Sequence, residues 1–317
     1  MQAKPQIASF VVIKREVEGH LQQPAVTTEA YTFMGSAARI ARQALISQEG
    51  IKAMSDLVLA FDMHQQQNQA QLGGRVDKVL EFVGYLWDEF PLILIDPYMT
   101  DKSQTACYKR QPWQGEFSMR FQFVFRVDDM INAAQNRLDE EFRRFQFMFA
   151  MALIHEVGGH LLISFLTSGA GSTPEMVYPH FFNSAEPSQS GESGRYLEWT
   201  LFGGCHEWRE NTNQGSRQAG IACLVDEDEI VSPIAEKVID RFLHCDFEFP
   251  FPFEKDEGFD PINHPIIGGP ASNVALPPSL KSPITPNFPN SVRPCCVRIG
   301  SLEGVPWNTS LRAISAF

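Results

Sequence analysis

The chain has 317 residues, 44% of them hydrophobic, with apolar runs spread along its length, which is enough to bury a substantial core. A formal net charge of -12 sets up a field that repels polyphosphate and anionic lipid, so nucleic acid and membrane are not expected partners. The six cysteines, Cys107, Cys205, Cys223, Cys245, Cys295 and Cys296, show no CxxC spacing, so free thiols are expected and a closed four-cysteine zinc site is not.

In chain order, the apolar run at residues 7–13 is followed at once by Lys14, Arg15 and Glu16, which reads as a strand rather than a signal peptide. No run reaches the roughly 18 to 20 uninterrupted apolar residues that span a bilayer, and a soluble, cytoplasmic protein is expected. Residues 35–59 and 76–90 read as helix, the first interrupted near Gly50, with a glutamine-rich loop at residues 65–71 between them. The clearest strand is residues 117–127, where Phe117, Met119, Phe121, Phe123, Phe125 and Val127 alternate with mostly polar neighbours. Asp128 and Asp129 can start a helix, and residues 131–166 are too densely apolar for a surface one. Within that stretch Phe142, Phe145, Phe147 and Phe149 read as core. Small residues and Pro174 end it, and a further helix is expected over residues 192–202, stopping at Gly203-Gly204. Asp226 to Glu229 reads as a solvated turn, since the oxygen-ligand spacing and glycine of a calcium loop are missing. Of the 21 prolines, 12 lie between Pro250 and Pro306, so a domain at residues 1–249 is expected to be followed by an irregular tail, 250–317, that wraps the core or is partly disordered.

The chemistry concentrates in His155-Glu156-Val157-Gly158-Gly159-His160. An ionised Glu156 inside an apolar run carries a large desolvation cost unless something compensates it. A divalent cation does so: neutral imidazoles bind it, and a neighbouring carboxylate accepts a proton from a water the metal acidifies. The spacing is unusual, because histidines at i and i+4 lie about 40° apart around an α-helix whereas i and i+5 lie about 140° apart. A one-residue π-bulge restores a common face, and Gly158-Gly159 stands where that distortion costs least.

The segment resembles the His-Glu-x-x-Gly-His motif of the dipeptidyl peptidase III family, a branch of the gluzincin metallopeptidases. The resemblance implies one zinc ion held by His155, His160 and a glutamate from a later helix, with Glu156 as general base. It implies an α+β, zincin-like fold in which a mixed sheet packs on the long buried metal-binding helix. Chain length and the rest of the sequence depart from that family, so its peptide specificity does not carry over. Glu192-Ser193-Gly194-Arg195-Tyr196-Leu197-Glu198 is similar to the start of the gluzincin glutamate helix, with Ser193 inserted before the glycine. Glu192 is the expected third ligand, Glu198 the runner-up, and Glu207 and Glu210 a second option. The spacing of Glu192, Gly194, Glu198 and Leu201-Phe202-Gly203-Gly204 also resembles a pattern met in fungal proteins. Among Tyr178, His180, Arg195, Tyr196 and His206, the candidates for oxyanion donor, Tyr196 and His206 are carried forward.

Three functions fit: a zinc hydrolase of peptide or small-molecule substrates, a metal-dependent lyase, cyclase or isomerase of a small metabolite, and a non-catalytic metal-binding protein. The plain alternative is a structural helix whose histidines hydrogen-bond in the core.

Overall fold

A computed structural model describes residues 10, 12–15, 21–22, 27–64, 72–96, 106–107, 121–124, 127–167, 192–212, 214, 217–252, 259–264 and 266–267. Strand β1 (Val12–Arg15) pairs antiparallel with β2 (Leu21–Gln22) and parallel with β3 (Leu92–Ile95). On its other edge β3 pairs parallel with β5 (Phe121–Val124), which takes β4 (Ala106–Cys107) antiparallel. The order β2-β1-β3-β5-β4 is a mixed sheet. Its middle strand, Leu92-Ile93-Leu94-Ile95, is buried at every residue, as an unbroken apolar run covered on both faces should be. The strand expected over 117–127 is described only at Phe121–Val124; residues 117–120 and 125–126 lie outside the described set, and Val127 already opens helix α4 (Val127–Gln135). Asp128 and Asp129 fall in the first turn of α4, where the helix dipole favours negative charge.

Helices α1 (Glu29–Leu45) and α2 (Gln48–His64) are separated at Ile46-Ser47, not at Gly50. The Ser47 hydroxyl donates to the Ala44 carbonyl at 2.7 Å and accepts from the Gly50 N–H at 3.0 Å, so it ends one helix and caps the next. Gly50 is needed for a different reason: a Cβ there would stand 2.2 Å from the Ala44 carbonyl oxygen. Helix α3 (Leu72–Asp88) leads to β3.

The long helix expected over 131–166 is broken after α4. Arg137 adopts a left-handed φ of 58°, and α5 (Asp139–Leu153) restarts with Asp139, Glu140 and Glu141 in its first turn. The chain then passes without interruption through a π-helical segment, Ile154–Leu161, into α6 (Leu162–Leu166). By length and composition Asp139–Leu166 is apolar enough to cross a membrane, at a mean hydropathy of 1.6, and 78% of its most apolar stretch is buried inside the protein. Mean hydropathy passes this segment where a count of uninterrupted apolar residues does not.

Helix α7 (Ser193–Phe202) ends at Gly203, whose φ of 80° is the left-handed cap that glycine adopts without strain. Strands β6 (Cys205–Arg209), β7 (Ile221–Val225) and β8 (Val231–Pro233) form a second, antiparallel sheet before α8 (Glu236–Leu243). The acidic run at 226–229 is the turn between β7 and β8, and the Asp226 carboxylate accepts from the N–H groups of Asp228 and Ile230.

The molecule is α+β. Its larger sheet lies against α1 and α5, while the π-helical segment packs on α7, α1 and α2. Phe142, Phe145, Phe147 and Phe149 are all buried. Phe147 and Phe242 meet edge to face at 5.1 Å, and Phe202 packs on Phe251 at 4.8 Å. The chain therefore stays on this body past residue 249: the Phe251 N–H donates to the Phe202 carbonyl, and the Ile267 N–H donates to that of Trp208. Residues 268–317 lie outside the described set. Cys205, Cys223 and Cys245 are free thiols, and burial pushes Cys223 up to about 12. Replacing Phe242 by Ala should cost about 3–5 kcal/mol of stability, read as a lower urea midpoint for unfolding.

Candidate metal centre

The π-helical segment Ile154–Leu161 contains both motif histidines. Its i→i+5 hydrogen bonding stacks positions five apart on one face. The rings of His155 and His160 are accordingly neighbours, with centroids 5.2 Å apart. An unbroken α-helix would turn them away from each other.

Glu192 closes the group from α7. It is the N-cap residue, and its Oε2 accepts from the Arg195 backbone N–H at 2.5 Å. The other oxygen, Oε1, lies 2.5 Å from His160 Nε2 and 3.5 Å from His155 Nε2. One ligand atom each from His155, His160 and Glu192 falls within 4.8 Å of the others, which fits a single cation. Two neutral imidazoles and one carboxylate suit zinc in a site that keeps a fourth position open. These groups also compensate one another electrostatically. Burial opposes protonation of His155, but the carboxylates of Glu192 and Glu198 outweigh it and raise its pKa well above the usual histidine value. Burial likewise pushes Glu192 up, while His155 and His160 bring it well below the ordinary carboxylate range.

Behind these three groups lies a layer of hydrogen bonds. Glu198, fully buried on α7, accepts from His155 Nδ1 through Oε1. Its Oε2 accepts from Arg195 Nη1 at 3.1 Å and from the His206 backbone N–H at 3.2 Å. His206 Nδ1 also lies 2.8 Å from Glu198 Oε1. Burial raises the Glu198 pKa, and His206, Arg195 and His155 overturn that and hold the carboxyl well below its usual range. Ser193 Oγ lies 3.1 Å from His160 Nδ1.

Three glycines let the two helical segments approach. A Cβ on Gly159 would fall 2.4 Å from the Gly194 Cα, and one on Gly194 would fall 2.4 Å from His155 Nε2. A Cβ on Gly158 would collide with the side chains of Leu45 and Leu197 at 2.5 Å. The Gly-Gly pair thus serves close packing as well as the ease of widening the turn.

Glu156 is 5% exposed, and its Oε2 is buried with no hydrogen-bond partner among the described residues. The remaining candidates stand apart from the group. Tyr196 packs on Trp199 at 5.8 Å and lies near enough to Asp56 of α2 for that carboxylate, after burial, to raise its pKa. Its backbone N–H donates to the Glu192 carbonyl at 3.1 Å, and among the described residues its ring packs on Trp199 rather than on His155 or His160. The Arg195 guanidinium is committed to Glu198 and to the His206 carbonyl. His206 is engaged with Glu198 rather than presented beside Glu192. Glu207 sits on strand β6 and pairs with Arg209 at 2.9 Å, and Glu210 is exposed just beyond that strand. Tyr178 and His180 lie outside the described residues. Sequence reasoning gave Ser193 no role and Glu198 that of runner-up ligand; Ser193 lies beside His160 Nδ1, and Glu198 accepts from His155 Nδ1.

Compared with known proteins, the chain matches no family model, and no curated protein and no solved structure is significantly similar to it.

The glycine contacts are directly testable. Gly159→Ala should overpack the contact with α7 at a cost of about 1–3 kcal/mol. The loss would appear as a lower thermal midpoint for the metal-free protein.

Proposed function

We propose that this chain is a mononuclear zinc hydrolase of gluzincin type, with His155, His160 and Glu192 holding the ion and Glu156 as general base. The observation that carries this reading is the convergence of two imidazoles and a carboxylate within 4.8 Å. It is reinforced by Glu156, the residue next to His155, whose buried Oε2 lacks a partner among the described residues. Burying a carboxylate oxygen without a donor costs free energy, and at Glu156 that cost falls beside a candidate metal ligand, whereas the similar oxygen of Glu236 on α8 adjoins none.

When bound, zinc supplies a Lewis acid and lowers the pKa of a water to about 7. The chain's own residues do the rest. Glu156 takes a proton from the attacking water as the new C–O bond forms at an amide or related carbonyl. It then returns that proton to the leaving nitrogen as the C–N bond breaks, so the carboxylate is regenerated. His155 and His160 act as neutral ligands throughout, and their Nδ1 atoms are occupied by Glu198 and Ser193. The zincin arrangement of the fold and a cytoplasmic setting belong to the same proposal.

Purified protein should carry about one zinc per chain, removable by chelator. Restoring free zinc to a hundredfold excess over Kd should stabilise the fold by about 2.7 kcal/mol. Glu156→Gln should keep the zinc and lose about 10²–10⁴-fold of the turnover of a peptide library. A protein without stoichiometric metal would be a scaffold instead. A metal-loaded protein inert toward peptides but active on a small metabolite would be a lyase, cyclase or isomerase. Equal hydrolysis by wild type and Glu156→Gln would remove Glu156 from the reaction.

A further inference from the structure

Building on the zinc reading, we infer that Glu198, clamped by Arg195, is the positioning residue that fixes His155 with its proton on Nδ1 and its Nε2 lone pair facing the cation site. An imidazole can present either nitrogen to a metal, and the choice follows from the hydrogen bond made by the other. At His155 that bond goes to a carboxylate with no exposure to solvent. An ionised carboxylate only accepts, so Nδ1 must be the donor. Nε2 is then left on the side of Glu192, which lies 3.5 Å away.

Glu198 is itself held from several directions. Arg195 Nη1 donates to it, as does the His206 N–H, and the His206 ring lies against the oxygen that serves His155. The same Arg195 nitrogen donates to the His206 carbonyl. Both oxygens of Glu198 are therefore directed by groups on α7 and at the start of β6, and neither is turned toward Glu192 as a ligand would be. Its charge also reaches the metal site through His155, since a carboxylate behind a ligating imidazole makes that imidazole a better donor. Glu192 binds and Glu198 orients, six residues apart on one helix.

The test is zinc affinity measured by competition with a chromophoric chelator, on wild type, Glu198→Gln and the paired variant Arg195→Gln/Glu198→Gln. The single variant leaves Arg195 buried without its carboxylate and is prone to misfold. The pair removes both charges and keeps that possibility from hiding the result. Affinity should fall about 10–100-fold in both variants, and Glu198→Asp should recover part of it. Nitrogen-15 spectra of zinc-loaded wild type should show His155 metallated at Nε2 and protonated at Nδ1. A folded paired variant that binds zinc as tightly as wild type, or a His155 metallated at Nδ1, would overturn the inference while leaving the zinc site intact. A wild-type chain that binds no zinc would instead overturn the site itself.

Discussion

The candidate site depends on one departure from regular helix geometry. Between Ile154 and Leu161 the backbone winds with i→i+5 hydrogen bonds, and only that brings His155 and His160 onto a shared face. The distortion lies in a buried part of the molecule, where Ile154, Val157, Leu161 and Leu162 have no exposure. A widened turn in such a place is held by packing on every side, and α7 supplies the principal wall. The glycines at 158, 159 and 194 make the wall close enough for Glu192 to reach the imidazoles. Geometry of the backbone, choice of small residues and convergence of the three polar groups are thus a single arrangement.

The electrostatics follow from the same packing. Glu192, Glu198, His155, His206 and Arg195 share a poorly solvated volume in which no single charge is tolerable. Glu198 is stabilised by a guanidinium, two imidazoles and a backbone N–H. Glu192 has the two motif histidines and the start of α7. Glu156, next in sequence to His155, has a buried oxygen for which the described residues supply no donor, which is why it reinforces the functional reading.

Much of this was legible in the residues. The motif and the widened turn came from spacing and from the cost of burying charge, the choice of Glu192 from the resemblance to the gluzincin glutamate helix, and the helix at 193–202 from its flanking Glu192 and Gly203-Gly204. Boundaries set by capping were harder. The break at Ile46-Ser47 depends on a serine hydroxyl that serves two helices, and the break after Gln135 depends on one left-handed residue at Arg137. Neither interrupts the apolar periodicity on which the helix assignments relied. The partners of Glu198 were out of reach because His206 and its backbone come from a strand beyond a turn, and pairing across that turn has no local signature. Tyr196 and His206 were chosen by closeness in sequence, whereas α7 turns Tyr196 toward Trp199 and Glu198 holds His206.

Glu192 divides its two oxygens between separate tasks, one terminating the exposed amides of a helix and the other facing the imidazoles. Folding the helix therefore already immobilises this side chain facing His160. An ion bound as proposed would meet a carboxylate with little rotational freedom left to surrender, so more of the intrinsic attraction would survive as affinity.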